Sequence, residues 1–181
     1  NAGHIDSIGC ESAGVHTGVA VEFNANSNLQ EAVVDATQIC GGSLFANNAG
    51  MTSLDLSVPD SLGADLSGNS LTIQNQPDLT TCTTGTNPTT FEGGFVAINA
   101  GMTNMAGMAS VTSMGGGITM AGCMNLESTE GLNLNSVGAS PTGNSLLFAE
   151  CPMLTNTAGF ENVNTSLPGA FVMENCPACT N

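Results

Sequence analysis

The chain has 181 residues, with 15 carboxylates and neither lysine nor arginine, so its formal charge is −15. A chain without basic side chains cannot neutralise phosphates, build a P-loop or attach by charge to an anionic bilayer, which argues against nucleic-acid and membrane-surface partners. A hydrophobic fraction of 41% is too high for a disordered acidic tail, and the length suits one domain with a real core.

Residues 1–18 read as an N-terminal cap segment, and residues 19–181 as one repeat domain. The two histidines, His4 and His16, stand in this cap with Asp6, Cys10 and Glu11. These residue types ligate metals and form nucleophile–base pairs. Their place at a terminus, without an oxyanion motif, favours a solvated cap, so no catalytic residue, metal or cofactor is assigned. There is no basic-then-apolar leader and no apolar run of 18 residues, so a mature, processed chain without a membrane span is expected. Seven cysteines in one domain point to an oxidising, extracellular location, secreted or at a cell surface. Cys10 and Cys40 are a candidate disulfide clasp for the cap. Only residues 27–38 suggest a helix, with Ser27 at the N-cap and Gln30 three residues on.

Internal repetition then takes over. In Ile118, Met120, Cys123 and Leu126, inward residues sit at fixed offsets around a cysteine. The same frame recurs as Leu146, Phe148, Cys151, Leu154 and as Phe171, Met173, Cys176, Cys179. Upstream it recurs as Leu71, Ile73, Gln76, Leu79 and as Val21, Phe23, Asn26, Leu29. Val96, Ile98 and Gly101 fit it more loosely, with Met105 one step late, and a further turn with a one-residue irregularity spans Leu44 to Leu54. Pairs two residues apart are strand signatures. A second element recurs between the frames, with Val111, Val137 and Val163 in matching places. These observations predict an all-β fold: a single right-handed parallel β-solenoid of about seven turns, in which stacked repeats bury one continuous column.

The run "GMASVTSMGGGITMAGCMNLEST" with "GLNLNSVGASPTGNSLLFAECPMLTNTAGFENV" resembles the receptor L-domain repeats. Those are leucine-rich-like β-solenoids of growth-factor receptor ectodomains and of fungal and protist surface proteins. The resemblance covers 65–181 best and 19–64 loosely. It implies a solenoid fold, and cell-surface ligand recognition is the function it brings with it. The chain departs from that pattern in using Met, Cys and Ala where the family has Leu or Ile, and in lacking all lysine and arginine.

Three features are candidate sites. Cys123, Cys151 and Cys176 take one place in successive turns, about 4.8 Å apart in stacked strands. That spacing suits either a disulfide between turns, such as Cys151 to Cys176, or a column of reduced thiols. Cys176 and Cys179 form a C-x-x-C, read as a ladder member plus an end-cap cysteine because no thioredoxin-like setting or second pair accompanies it. The outward strand positions, among them Ser70, Thr72, Ala97, Thr119, Ala121, Leu147 and Val172, are small, uncharged and suited to a flat face. Asn164 heads the one glycosylation sequon. The expected function is non-enzymatic: an extracellular structural or adhesive protein that forms homo-oligomers or polymers through the flat face and the solenoid ends. Ice binding by the Thr/Ala/Ser face is the alternative.

Overall fold

The computed structural model describes residues 5–8, 18–57, 60–86, 89–163 and 166–179. His4, Cys10, Glu11, His16 and Asn164 therefore lie outside the described residues, as does the side chain of Asp6. Among the described residues the regular structure is almost entirely parallel β-strand, wound into a β-solenoid of about six turns.

One sheet has seven strands, numbered here in chain order with those of the second sheet: β2 (Val19–Asn24), β4 (Gly42–Ala46), β7 (Asn69–Gln76), β10 (Gly94–Ala100), β12 (Ile118–Ala121), β14 (Asn144–Ala149) and β15 (Ala170–Glu174). Each pairs only with its neighbours from the turns before and after, in the order β15-β14-β12-β10-β7-β4-β2. The second sheet holds β1 (Ile5–Ile8), β3 (Glu31–Ile39), β5 (Ser53–Ser57), β6 (Ser61–Leu62), β8 (Thr81–Thr83), β9 (Thr89–Phe91), β11 (Val111–Met114) and β13 (Ser136–Val137). Equivalent positions in adjacent turns of the seven-stranded sheet are 22 to 28 residues apart, and asparagines after its strands hydrogen-bond from turn to turn, as Asn26 to Asn48 and Asn75 to Asn47.

The core is a set of stacked columns. In the seven-stranded sheet one inward column runs Val21, Ser43, Leu71, Phe95, Ile118, Leu146, Phe171. A second runs Phe23, Phe45, Ile73, Ala97, Met120, Phe148, Met173. The middle rungs are fully buried, whereas Phe171, on the last strand in the sheet order, is 50% exposed. Ser43 is the exception to apolar filling, since its buried Oγ has no hydrogen-bond partner. An unpaired hydroxyl in such a place costs about 1–3 kcal/mol.

Each of these strands ends in a corner with a left-handed residue: Ala25, Asn47, Asn75, Asn99, Gly122, Glu150 and Asn175. Asparagine tolerates this conformation better than most residues. Its amides also form an external ladder, with Asn47 donating to Asn24 at 3.1 Å, Asn75 to Asn47 at 2.9 Å and Asn99 to Asn75 at 2.9 Å. The ladder stops at Gly122, where any Cβ would collide with Oδ1 of Asn99. The residue after each corner forms the series Asn26, Asn48, Gln76, Ala100, Cys123, Cys151, Cys176, buried from Asn48 to Cys151, half-buried at Cys176 and exposed at Asn26. At every member of this series except Ala100 the chain closes the corner with a backbone bond three residues on, as from Leu79 to Gln76, Leu126 to Cys123 and Leu154 to Cys151.

Several expectations need correction. Residues 27–38 do not form a helix: Glu31–Ile39 is a strand that buries Ala32, Val34, Ala36 and Ile39 and exposes Glu31, Val33 and Asp35. It is a full member of the stack, pairing with β5 through its first half and with β6 through its second. It pairs as well with Ile5–Ile8, a strand within the N-terminal cap segment, with Ile5 opposite Ala36. In β10 the facing is reversed: Phe95 and Ala97 point inward, and Val96 and Ile98 outward. A register shift at Gly94 and Phe95 moves the strand by one residue. Its corner is correspondingly earlier, with Ala100 and Met102 buried in place of the expected Gly101 and Met105 frame, though Met105 is buried too. Val137 pairs with Met114 and not with Val111.

Candidate functional site

Outward side chains of the seven-stranded sheet form two columns. The first runs Glu22, Leu44, Thr72, Val96, Thr119, Leu147, Val172. The second runs Asn24, Ala46, Gln74, Ile98, Ala121, Ala149, Glu174. From Leu44 to Val172 the first column carries no charge, and its members are half-buried. The second carries none between Asn24 and Glu174. Carboxylates therefore stand only at opposite ends of the stripe, on Glu22 and Glu174. Neighbouring rungs are about 4.8 Å apart, so aliphatic and threonine side chains form one unbroken band.

Five of the seven residues expected on this face are there: Thr72, Thr119, Ala121, Leu147 and Val172. Ala97 is not, because the shift at Gly94 turns it into the core, where it is fully buried. Ser70 is not either. It is fully buried near the start of β7, donating to the Leu62 carbonyl at 2.9 Å and accepting from the Gly93 amide at 2.7 Å. Leu44, Val96 and Ile98 were missed. Val96 and Ile98 read from the sequence as inward members, since apolar residues occupy both faces of their strand and alternation alone does not say which face turns in, and the irregular turn from Leu44 to Leu54 leaves the facing of Leu44 unassigned.

Beside the stripe's end, Phe171 borders an apolar groove lined by Leu146, Thr157, Phe160, Val163 and Leu167. The Phe171 ring meets Phe148 edge-on at 6.4 Å. Exposed apolar side chains at this end of the coil also include Met153, at 51% exposure.

The thiol column is present. The Sγ atoms of Cys123, Cys151 and Cys176 donate to the carbonyls of Ala97, Met120 and Phe148, at 3.6, 3.7 and 3.7 Å, each on the neighbouring turn. All three are free thiols, as are Cys82 and Cys179, so the structure holds a reduced column rather than the bridge between turns that the spacing also allowed. Cys176 and Cys179 are likewise unbridged. The amide of Cys179 bonds to the Cys176 carbonyl at 3.2 Å, in the same way as Leu154 to Cys151, so this C-x-x-C is one more corner of the repeat. Cys40 is not among the free thiols, and its suggested partner Cys10 lies outside the described residues.

Burial, with a smaller contribution from the Asp55 carboxylate, pushes the Cys82 thiol from its ordinary 9.0 up to about 12. The raised value means the fold favours the protonated form. Its contribution is fully present below the unfolded thiol value and is lost as pH climbs from there toward 12. The chain has no lysine or tyrosine, so cysteines are the side chains that titrate in this window. Urea unfolding should therefore show wild-type stability falling between pH 9 and 10.5. Cys82→Ala should remove about 2 kcal/mol of that fall. Identical slopes in the two proteins would show that Cys82 ionises freely in the fold.

Among the described residues no three or more of His, Cys, Asp and Glu gather in a way that could hold a metal ion. No helix among them is long and apolar enough to cross a membrane. No protein-family model, curated protein or solved structure matches this chain.

Proposed function

We propose that the chain is a non-enzymatic, extracellular structural or adhesion protein that associates with copies of itself. The contact surfaces are the stripe from Leu44 to Val172 and the apolar end around Phe171. The observation that carries this reading is the uncharged outward column spanning six rungs. A chain of charge −15 without lysine or arginine repels its own copies wherever carboxylates face each other. Two copies can approach closely only across a surface free of carboxylates, and the stripe is such a surface. Its aliphatic side chains supply the burial that favours contact.

The same proposal takes the coil as right-handed, the hand adopted by nearly all parallel strand–crossover–strand connections. It also counts seven turns, one for each strand of the seven-stranded sheet. The likeness to receptor L-domain turns belongs with the extracellular placement, and ligand recognition at a cell surface is the reading it would favour. Ice binding is the second reading. Thr72 and Thr119 in one regular column support it, although aliphatic residues outnumber them there.

Sedimentation across a wide concentration range, with electron microscopy of untreated protein, tests the proposal. Ordered filaments or layers are the expected result. A monomer at the highest concentration would overturn it, and ice-crystal shaping by that monomer would establish the second reading in its place.

A further inference from the structure

We propose that Cys151 and Cys176 form a two-coordinate site for a soft, closed-shell monovalent metal ion, of which copper(I) is the type. Both thiols occupy the same place on adjacent turns, just past the corners Glu150 and Asn175, where the Glu150 amide bonds to the Glu174 carbonyl. Stacked positions of this kind are about 4.8 Å apart. Twice a metal–thiolate bond of about 2.3 Å is nearly the same length. A metal midway between the sulfurs therefore meets both without a shift of the backbone, whereas a disulfide draws them to about 2.05 Å.

The surroundings select the coordination number. Cys123 stacks on the far, buried side of Cys151, one further turn from Cys176, and among the described residues no three or more of His, Cys, Asp and Glu gather to hold a metal ion, so a tetrahedral zinc site is not available there. Two thiolates in line are what a soft d10 ion accepts, and thiolate ligands select copper(I). Cys151 is buried and Cys176 only half-buried, so the pair opens toward the exposed end of the coil beside Phe171. Each thiol now points at carbonyls of its own strand end, Cys151 at Ala149 and Cys176 at Glu174, both at 3.4 Å. Binding replaces these two S–H protons with one copper(I): two thiols and Cu⁺ give a singly negative S–Cu–S unit and two released protons. No electron is transferred, and affinity falls as pH is lowered.

The test uses the full chain, reduced and kept under nitrogen, with copper(I) supplied against excess bathocuproine disulfonate as competitor. Wild type should retain one copper per chain, and X-ray absorption at the copper edge should show two sulfur neighbours. Cys176→Ser should weaken retention at least tenfold, while Cys179→Ser should leave it unchanged. X-ray absorption of the wild type reports the ligand set independently of how well the variants fold. The proposal is overturned by equal retention in Cys176→Ser, by loss in Cys179→Ser, by three or more sulfur neighbours, or by no retention in the wild type.

Discussion

Leu147→Glu is expected to leave the solenoid folded and to weaken self-association by about a hundredfold, or about 2.8 kcal/mol. Leu147 stands near the middle of the outward column, between Thr119 and Val172. Its side chain is half-buried and makes no core contact on which the turn depends, so the folded chain should lose little stability. In a contact between copies, however, the new carboxylate would leave water without gaining a partner. The chain offers no lysine or arginine to pair with it. An unpaired charge taken out of water costs several kcal/mol, enough to dominate the modest gain from an aliphatic stripe. Sedimentation equilibrium of the two proteins reads this difference directly. Equal association would remove the stripe from the interface and leave the Phe171 end as the only contact.

Phe148→Ala should cost about 3–5 kcal/mol, the usual range for emptying a buried aromatic site. The ring is fully buried, stacked between Met120 and Met173 on its column, and it touches Phe160 at 6.0 Å and Phe171 at 6.4 Å. It therefore connects β14, β15 and the 3-10 turn Ala158–Phe160. In a stacked-repeat protein each turn is held mainly by its neighbours, so the loss should be local. Hydrogen exchange should show protection falling in β15 and the turns beside it, and persisting in β4 and β7. A cost under 1 kcal/mol, or a uniform loss along the coil, would contradict the column packing described here.

How far the sequence revealed this fold depends on how one-sided each strand is. In Leu71-Thr72-Ile73, Ile118-Thr119-Met120 and Leu146-Leu147-Phe148 the inward pair was read correctly, because a constant corner and a further buried residue follow at fixed offsets. The polar and thiol members Asn26, Gln76 and Cys123 fall into one frame for the same reason, and the structure puts them in one corner series, with Gln76 and Cys123 fully buried and Asn26 exposed. In Gly94–Ala100 both faces are apolar, and the register is set by a shift at Gly94 that no periodicity records. Turning Phe95 inward buries the largest side chain available, and this outweighs the β-branched pair that an average pattern prefers. Residues 27–38 misled in another way. Ser27, Gln30, Glu31, Ala32 and Ala36 satisfy helix rules locally, but the neighbouring turns offer strand edges on which Ala32, Val34 and Ala36 can be buried together. Tertiary pairing overrides the local preference.

The stripe was legible in part for the same physical reason. Thr72 and Thr119 are flanked by unambiguous inward residues, so their outward direction follows. Ser70 reads as a surface serine but is fully buried near the start of β7, where its hydroxyl satisfies a glycine amide and a carbonyl on two other segments. Sequence spacing cannot separate these roles, because Ser70 and Leu71 are buried in succession at the register shift opposite Gly94 and Phe95, a break in alternation that no sequence pattern records.

The central claim is that copies of this chain meet through a surface chosen for its lack of charge, and a salt series on the wild-type protein tests it most directly. Most charged interfaces weaken as salt screens attraction between unlike groups. Here no lysine or arginine exists to supply such attraction, so screening can act only on repulsion. Sedimentation at ionic strengths from about 0.01 M to 0.5 M spans Debye lengths from about 30 Å to under 10 Å. The account predicts that association strengthens steadily across that range. Dissociation on adding salt, or a monomer throughout, would contradict it.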